Sequence, residues 1–477
     1  MCRPGSASES ETVTGDGTVR RARARSSVDG GRRAAYDALC AVDTDDAYLN
    51  LTLSRLLAER GMSGRDAGFA TELAHGTARM QGLYDAVVGA CVRGGTATLQ
   101  PEVLVALRLG AHQLLSMRVP AHAAVGTTVE LVRRSAGERP VRLVNAVLRR
   151  VARTPVEGWV AECAPARDAD LAGHLAVRYS HPAWVVSAFL DALGDEVEVE
   201  ALLEADNTAP AVTLAVRPGQ ACVDDLLAAG CRAGRWSPYA AVLAGGDPAA
   251  VAAVREGHAG VQDEGSQLSA LLLARAQVGG LDRRWLDLCA GPGGKAALLA
   301  GVARQRDATL LAAELHEHRA RLVQAGVLGY SPPSPVVVAD GTCPAWGEAA
   351  FDRVLVDAPC SGLGALRRRP ESRWRRTPAD LPRLVSLQRR LLGSALDSVR
   401  PGGVVAYVTC SPHLRETRGV VDEVVGTRSD VVEESAWELL PEVPGTGPGP
   451  HVQLWPHRHG TDAMFIALLR RRDQCLA

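Results

Sequence analysis

Two cysteines in the second half of the chain stand where a catalytic thiol would be placed, on loops that end predicted strands. They lie in the segments Val356-Asp357-Ala358-Pro359-Cys360-Ser361-Gly362 and Tyr407-Val408-Thr409-Cys410-Ser411-Pro412. Upstream, a strand runs into a glycine-rich loop with the sequence Leu286-Asp287-Leu288-Cys289-Ala290-Gly291-Pro292-Gly293-Gly294-Lys295. A glycine loop followed by two thiols on later strands is the order expected of an enzyme that binds a nucleotide cofactor and catalyses covalently.

Acidic residues indicate the kind of cofactor. Four fall at or just beyond the ends of predicted strands: Asp287, Glu314, Asp340 and Asp357. Glu314 can accept two hydrogen bonds from a ribose diol at the edge of a doubly wound sheet. The loop is not G-x-G-x-x-G, which disfavours a dinucleotide, so we predict a nucleoside cofactor without phosphates, S-adenosylmethionine. The alternative is a cofactor-free α/β domain with acidic strand ends.

Two thiols beside a methyl donor would suit methylation of C5 of a pyrimidine. C5 is too weak a nucleophile to take a methyl group directly, and a thiolate that adds to C6 makes C5 an enamine carbon. A base must then remove the C5 proton so that the thiol can leave, and a second thiol can serve that release. An Asp can hydrogen-bond the protonated ring nitrogen of cytosine. A single cysteine is more often a buried hydrophobic residue than a nucleophile, and we expect this of Cys289.

An arginine-rich segment between the two thiol loops is a candidate RNA contact. It reads Arg367-Arg368-Arg369-Pro370-Glu371-Ser372-Arg373-Trp374-Arg375-Arg376. Arginines interleaved with a tryptophan suit phosphate contacts and base stacking, and we expect Arg367, Arg368, Arg369, Arg373 and Trp374 to bind RNA. A solvated charge run is the usual alternative. The target base would have to be flipped out or single-stranded.

Length and composition limit the class of protein. A chain of 477 residues predicts two or three domains. With 47% hydrophobic residues it is typical of a globular protein, and no apolar run approaches the roughly 18 residues of a membrane helix. Residues 1–30 are rich in Ser, Thr, Gly and Arg, so we predict a disordered tail and no signal peptide.

Cysteine usage and charge narrow the class further. Eleven cysteines without paired spacing predict a reduced, cytoplasmic chain. No C-x-x-C and no mixed His/Cys cluster is present, so we expect no metal. The net charge is −1, so the chain is not basic overall, and any contact with RNA must come from local basic patches. Of 53 basic residues a single one is lysine, Lys295, which suggests a site that needs a compact ammonium.

Hydrophobic periodicity divides the rest of the chain into three parts. Residues 31–155 show helical spacing and predict a bundle of five to seven helices. Residues 156–260 predict a small mixed α/β module or linker, with a turn at residues 179–182 and a strand at 212–216. Residues 261–472 alternate between strands and helices, which is typical of a mainly parallel sheet covered on both faces.

Strand candidates in this last part are short runs of Val, Leu and Ala. They cover residues 285–288, 309–313, 335–339, 351–356 and 403–408, with a closing hairpin at 451–455 and 463–469. Helices are predicted at 295–303, 317–328 and 381–399. The fold class is therefore multi-domain, with an all-α front part, a small mixed α/β module and a Rossmann-like α/β domain.

These motifs together resemble the RsmB-type (Sun/Fmu) ribosomal RNA cytosine-5 methyltransferases over nearly the whole chain past the tail. The resemblance rests on residues 287–295, the two thiol segments and Val261-Gln262-Asp263-Glu264-Gly265-Ser266-Gln267-Leu268. The front half is similar to a NusB-type RNA-binding domain. That likeness rests on Glu72-Leu73-Ala74-His75-Gly76-Thr77, Leu107-Arg108-Leu109-Gly110-Ala111 and Leu143-Val144-Asn145-Ala146-Val147-Leu148-Arg149.

The resemblance implies a role for individual residues. Cys410 would be the nucleophile and Cys360 the release residue, an order that chemistry alone leaves open, with Asp357 and Lys295 also catalytic. The S-adenosylmethionine site would comprise Cys289, Ala290, Gly291, Pro292, Gly293, Gly294, Lys295, Glu314, Asp340 and Asp357. The chain departs from the family at Glu416-Thr417-Arg418, Asp462-Ala463-Met464-Phe465 and Glu314. Both thiols are retained, so we expect an active enzyme.

We expect a monomer that acts on a cytosine of small-subunit (16S) ribosomal RNA, either naked or in an assembling subunit. Within the same chemistry, a transfer RNA enzyme is the alternative. From other classes, a non-catalytic RNA-binding assembly or antitermination factor and a nicotinamide oxidoreductase remain open. Binding of S-adenosylmethionine would discriminate against an RNA-binding scaffold.

Overall fold

The computed structural model describes residues 29–45 and 47–473 of the chain. The predicted disordered tail, residues 1–30, falls almost entirely outside the described residues. Within them, the chain forms an N-terminal helical region, a small antiparallel sheet and a large mixed sheet with helices on both faces. This arrangement confirms the predicted fold class.

The N-terminal region is helical throughout. Its helices are α1 Gly30–Asp45, α2 Leu49–Glu59, α3 Gly64–Arg79, α4 Gln81–Cys91, α5 Pro101–Leu115, α6 Ala121–Ala136, α7 Val141–Val151 and α8 Val156–Cys163. Helix α7 illustrates why these segments are helical. Its buried residues recur at helical spacing and form one apolar face: Val144, Val147, Leu148 and Val151. Trp159 of α8 is fully buried in the same core.

Three further helices connect this bundle to the rest of the chain. They are α9 Leu171–Tyr179, α10 Ala183–Leu193 and α11 Glu196–Asp206. Ser180 ends α9 in the left-handed region, with a φ of 58°, which makes the turn predicted before α10. The buried face of these helices packs against Leu363 and Trp455 of the C-terminal domain.

The small sheet is antiparallel, in the order β2-β3-β1-β4. Its elements are β1 Thr213–Val216, β2 Arg232–Ala233, β3 Ala240–Val242 and β4 Ala259–Val261, with the short helices α12 Val223–Ala228 and α13 Ala252–Arg255. The strand expected at residues 212–216 is β1. A small apolar core that includes Leu214, Val216 and Leu226 holds the module together.

The C-terminal domain is built on the large sheet. Its strands are β5 Arg284–Asp287, β6 Thr309–Glu314, β7 Val336–Val338, β8 Phe351–Asp357, β9 Val399–Thr409, β10 Val431–Glu434, β11 Val452–Gln453 and β12 Phe465–Arg471. Its helices are α14 Glu264–Arg275, α15 Gly294–Arg304, α16 Glu317–Val327, α17 Ser372–Arg375, α18 Leu381–Ser398, α19 Arg418–Gly426 and α20 Pro456–His459. Short 3-10 turns lie at Thr96–Thr98, Pro248–Ala250, Leu363–Ala365, Pro378–Asp380 and Ala436–Leu439.

The strand order is β10-β12-β9-β8-β5-β6-β7, with β11 paired to β12. Strands β5 to β9 are parallel to their neighbours, and β12 and β10 are antiparallel. The chain leaves β5 toward β6 on one side and returns to β8 on the other. The carboxyl ends of β5 and β8 therefore flank the point where the strand order reverses, which is where open α/β sheets bind ligands.

The predicted strands and the closing hairpin are confirmed, with two differences. Strand β9 begins at Val399 and passes through Pro401 and Gly402, which look like a loop in the sequence. Strand β10 was not predicted, because four residues ending in two glutamates carry little apolar signal. No helix in the described ranges is long and apolar enough to cross a membrane.

Candidate active site

The glycine-rich loop lies between two neighbouring strands and leads into α15. Its first turn is held by backbone hydrogen bonds from Leu288 to Leu355 of β8 (2.9 Å) and from Ala290 to Ala313 of β6 (2.8 Å). Gly293 has a φ of 115°, a conformation that favours glycine. A Cβ at Gly293 would stand 2.9 Å from the Cα of Val323, so the loop packs closely against α16.

Lys295 and Asp357 form an ion pair across the reversal point of the sheet. Lys295 Nζ lies 2.8 Å from Asp357 Oδ2, and the lysine side chain is 10% exposed. Burial disfavours the ammonium, but Asp357 outweighs burial and raises the pKa of Lys295, with a smaller effect from Cys410. The only lysine of the chain therefore stays charged between the cofactor loop and the thiol loops.

Asp287 ends β5 beneath this ion pair and is fully buried. Burial raises its pKa to about 7, and the nearby Asp357 carboxylate adds to the effect. Burial together with Asp287 also raises the pKa of the Cys289 thiol, which keeps that thiol neutral. Cys289 therefore has the character of a buried apolar residue in the cofactor loop rather than of a nucleophile.

Glu314, at the end of β6, holds the glycine loop from the neighbouring strand. Its Oε2 accepts a hydrogen bond from the backbone of Gly291 (3.0 Å), and its Oε1 accepts one from the backbone of His316 (3.0 Å). A Cβ at Gly291 would stand 2.2 Å from Glu314 Oε2, so any side chain at this position would displace the carboxylate from its present place. Arg319 Nη2 donates to the Gly291 carbonyl at 2.6 Å, which fixes the loop a second time.

Asp340 follows β7 and is exposed. Its Oδ1 accepts hydrogen bonds from the backbone (2.9 Å) and the hydroxyl (2.8 Å) of Thr342, and these bonds lower its pKa. A cleft of about 960 Å³ opens over the glycine loop. Its walls include Asp287, Asp357 and every residue from Cys289 to Lys295, whereas Glu314 and Asp340 stand outside its lining.

The residues around the loop fit a nucleoside that carries a sulfonium cation. Gly291 and Gly293 both line the cleft, and a Cβ at either would meet protein atoms, so the glycines allow the loop to pack closely against the protein behind it. Asp287 and Asp357 line the same cleft and can balance positive charge. These features are compatible with S-adenosylmethionine.

The two candidate thiols are brought together by the sheet. Cys360 follows β8, Cys410 follows β9, and the two strands are adjacent and parallel. Their Sγ atoms lie 3.4 Å apart, and both side chains are partly buried. The hydrogen bond to Cys410, together with burial, raises the pKa of Cys360 well above the usual range of a thiol. Cys360 is therefore protonated at neutral pH.

A buried carboxylate that was not predicted as a site residue joins the two thiol loops. Glu416 is fully buried; its Oε1 accepts hydrogen bonds from the backbone of Ser361 (2.8 Å) and from Gln388 (3.1 Å). Its Oε2 accepts hydrogen bonds from the hydroxyls of Ser411 (2.8 Å) and Ser361. In the sequence, this contact could have been anticipated from the serines that follow the two cysteines, Ser361 and Ser411, and from Glu416 just before α19. The departure noted in the sequence at Thr417 and Arg418 leaves this contact intact.

The arginine-rich segment makes mostly protein contacts. Arg373 is fully buried, and Trp374 packs against Gly82, where a Cβ would stand 2.5 Å from the indole. Arg368 pairs with Asp462 at 2.9 Å and with Asp263, and Arg367 donates to the Gly460 carbonyl at 3.1 Å. Arg369 is exposed at the cleft, with its guanidinium 5.1 Å from the ring centroid of Tyr48.

Arg373 connects three parts of the chain. Its Nη1 donates to the carbonyls of Arg79 (2.8 Å) and Ser180 (3.0 Å) and to Asn207 Oδ1 (2.8 Å). Its Nη2 donates to the carbonyl of Asp206 at 2.8 Å. These acceptors belong to the N-terminal bundle and to the helices that follow it, so this side chain attaches the bundle to the catalytic domain.

No group of three or more His, Cys, Asp or Glu side chains could hold a metal ion in the part of the chain that the structure describes.

Comparisons with known proteins identify the families to which the C-terminal domain and the N-terminal helical region are similar. Residues 279–470 match the family model described as 16S rRNA methyltransferase RsmB/F, and residues 30–153 match that of the NusB family. The crystal structure of PH0851 superposes with a TM-score of 0.75 at 22% identity, covering 93% of this chain and 98% of that one. At this identity the likeness shows a shared fold.

Two relatives at higher identity cover most of the chain. A methyltransferase of Mycobacterium tuberculosis (strain ATCC 25618 / H37Rv), whose name states no substrate, is 51% identical over 94% of this chain and 98% of its own length. The ribosomal RNA small subunit methyltransferase B of Pseudomonas putida (strain KT2440) is 34% identical over 82% of this chain and 87% of its own. The chain belongs to the RsmB/F family of RNA cytosine-5 methyltransferases, whose members use S-adenosylmethionine, and it carries an N-terminal NusB domain.

Proposed function

We propose that this enzyme methylates C5 of a cytosine in small-subunit (16S) ribosomal RNA through a covalent bond between Cys410 and C6. The observation that carries the proposal is the pair of thiols, 3.4 Å apart at the ends of adjacent parallel strands and next to the Lys295–Asp357 ion pair. One thiol alone would suit many enzymes. Two thiols in contact suit a reaction in which one thiol bonds covalently to a ring and the other assists its release from that ring.

Cys410 is the better nucleophile of the two because Cys360 keeps its proton. The Cys410 thiolate adds to C6 and forms an S–C6 bond, and the C5–C6 π electrons become available at C5. Asp357 Oδ2 is held by Lys295, whereas Oδ1 accepts no hydrogen bond within the described ranges. Oδ1 can therefore accept a hydrogen bond from N3–H of the cytosine and stabilise the adduct.

Release of the product requires a base for the C5 proton. The contact between the two thiols can make Cys360 available as that base after the Cys410–C6 bond has formed. Cys410 is the largest cause of the raised pKa of Cys360. Once Cys410 Sγ is bonded to C6 it is a neutral thioether and a weaker hydrogen-bond partner for Cys360, so part of the elevation of the Cys360 pKa is removed. Once Cys360 has given its own proton to water, its thiolate can accept the C5 proton. The electron pair of the C5–H bond re-forms the C5–C6 double bond, and the S–C6 bond breaks to return the Cys410 thiolate.

S-adenosylmethionine supplies the electrophilic methyl group in this chemistry. The loop from Cys289 to Lys295 would hold it through its backbone, with Asp287 and Asp357 facing its positive charge. Glu314 shapes the loop through Gly291, and as the carboxylate at the end of the neighbouring strand it would contact the ribose. Asp340, at the end of the next strand, would lie toward the base.

We propose Arg369 as the RNA contact of the arginine-rich segment, since it is exposed at the cleft. Arg367, Arg368, Arg373 and Trp374 would act on RNA indirectly, by holding that segment between the domains. The substrate assignment is supported by the small-subunit name of the Pseudomonas putida relative and by the NusB domain. The partner would be this RNA, naked or in an assembling subunit, bound by a monomer in the cytoplasm.

Methylation and trapping assays test this function. Wild type, Cys360→Ala and Cys410→Ala are incubated with unmodified small-subunit ribosomal RNA and labelled S-adenosylmethionine, then resolved on a denaturing gel. We expect methyl incorporation by wild type, a slowly migrating protein–RNA band with Cys360→Ala, and neither product with Cys410→Ala. Bisulfite sequencing of the RNA would identify the modified cytosine.

Other outcomes would change the proposal in defined ways. A band with Cys410→Ala in place of Cys360→Ala would exchange the two roles. Incorporation into transfer RNA and none into small-subunit RNA would make the enzyme a transfer RNA methyltransferase. If wild type methylates neither RNA, covalent RNA methylation is the wrong function.

A further inference from the structure

One face of a helix in the NusB domain lines the same cleft as the cofactor loop. Thr71, Glu72, His75 and Arg79 of α3 all border this cleft. Their spacing places them on one side of a helix, since residues three and four apart are neighbours on its surface. The NusB domain therefore forms a wall of the cleft over the cofactor loop, whose lining includes Lys295 and Asp357 but neither Cys360 nor Cys410.

Arg79 is the cation on this wall that lacks a partner. Its side chain borders the cleft although the residue is only 7% exposed. In the described part of the chain it makes no side-chain hydrogen bond and no ion pair within 4.0 Å, and its Nε is a buried donor without an acceptor. By contrast, the cleft cations Lys295 and Arg368 are paired with aspartates.

Burial of the Arg79 guanidinium is costly because it removes hydration, and Glu72 on the same wall, which lies beyond ion-pair distance, offsets only part of that cost. Burial lowers the pKa of Arg79 accordingly. Arginine nevertheless stays charged in proteins. Such a group is stabilised when a ligand brings an anion, and its planar fork matches a phosphate in particular.

The backbone of Arg79 is fixed before any ligand binds. Its carbonyl accepts the 2.8 Å hydrogen bond from the buried Arg373, which ties the end of α3 to the catalytic domain. No ordering of the backbone is therefore needed at Arg79 when a phosphate binds. Its place on the NusB wall, away from the loop that surrounds the cofactor, favours the RNA over the cofactor as the source of the anion.

We propose that Arg79 binds a backbone phosphate of the RNA next to the target cytosine, so that the NusB domain positions the substrate within the catalytic cleft. This inference rests on the proposed function. It assigns to Arg79 a positioning role on the RNA strand and no role in the chemistry at C5 or C6. The NusB domain is then part of the active site as well as a means of recruiting RNA.

The test compares Arg79→Gln and Arg79→Lys with wild type and with the control Arg65→Gln. Arg65 is an exposed arginine of the same helix that does not border the cleft. The dissociation constant for small-subunit ribosomal RNA is measured at several salt concentrations, that for S-adenosylmethionine by calorimetry, and methylation by steady-state kinetics. Circular dichroism confirms that each variant is folded.

For Arg79→Gln we expect RNA binding about tenfold weaker and a salt slope smaller by about 1, because one phosphate contact is lost. The KM for RNA should rise by a similar factor, with the affinity for S-adenosylmethionine unchanged. Arg79→Lys should keep the salt slope and lose about threefold in affinity, since it retains the charge without the fork. Arg65→Gln should match wild type.

Several results would overturn the assignment. A loss of S-adenosylmethionine affinity with unchanged RNA binding would place the cofactor carboxylate on Arg79 instead. Equal losses in Arg65→Gln and Arg79→Gln would indicate a general charge effect. If wild type methylates RNA and Arg79→Gln equals it, the Arg79 inference alone fails, whereas an inactive wild type removes the proposed function as well.

Discussion

Glu416 Oε1 accepts a 2.8 Å hydrogen bond from the backbone N–H of Ser361, the residue that follows Cys360. The other oxygen of the same carboxylate accepts a 2.8 Å hydrogen bond from Ser411, which follows Cys410. One buried anion thus ties together the two loops that carry the thiols. The two thiol loops are thus joined by a residue that hydrogen-bonds neither thiol.

Replacing Glu416 by Gln should disturb both loops. The amide keeps one acceptor and places an NH₂ group toward the Ser hydroxyls, so a buried donor or acceptor loses its partner at a cost of about 1–3 kcal/mol. We expect a lower melting temperature and a fall in kcat of about tenfold or more, with the KM for S-adenosylmethionine unchanged. Glu438→Gln, on the exposed surface, is the control. A fall in stability without any change in kcat would show that Glu416 is only structural.

The glycine loop should not tolerate a methyl group at Gly291. In Gly291→Ala, the Cβ would stand 2.2 Å from Glu314 Oε2 and 2.8 Å from Arg319 Nε, so the loop or both side chains must shift. We expect S-adenosylmethionine binding, measured by calorimetry, to weaken at least tenfold. Gly279→Ala is the matched control because nothing lies within 4 Å of its Cβ. Equal affinity in the two variants would contradict the role of this loop.

Cofactor affinity should depend on pH through Asp287. Burial raises the pKa of Asp287 to about 7, so this acid is neutral below that pH and negative above it. A sulfonium cation should therefore bind more tightly as the pH rises from about 6 to about 8, by up to about tenfold. Calorimetry across this range measures the effect.

Two variants isolate the residue responsible. Asp287→Asn should bind with weak dependence on pH, because the titrating carboxylate is gone. Asp340→Asn should keep the wild-type dependence, since its hydrogen bonds with Thr342 lower the pKa of Asp340 and hold it ionised throughout. A pH dependence that survives in Asp287→Asn would assign the titration to another group.

Removing the Arg373 guanidinium should loosen the NusB domain from the catalytic domain. Arg373→Met leaves four acceptors, among them the carbonyls of Arg79 and Ser180, without their buried donor. We expect a loss of about 3 kcal/mol or more, seen as an earlier first transition in urea unfolding. Arg383→Met, at an exposed position, is the control. If the variant is as stable as wild type but binds RNA more weakly, Arg373 would instead be assigned a direct contact with RNA.

The strands of the large sheet and the loops that follow them could be predicted from the sequence. Buried parallel strands read as short continuous runs of Val, Leu and Ala, and each is bounded by glycine, proline or an acidic residue. Residues placed after such strands must meet at one edge of the sheet. The sequence therefore predicted that Lys295, Cys360 and Cys410 share a site, and the structure brings them together.

The order of elements, the two thiols and the cofactor loop could be predicted because they depend on local patterns along the chain. The burial of Arg373, the place of the Glu416 carboxylate between two loops and that of Arg79 on the cleft wall depend on tertiary packing. An arginine in a charged run reads as exposed, and its true acceptors come from segments up to 294 residues away. Long-range polar contacts have no periodic signature, because they depend on how domains pack.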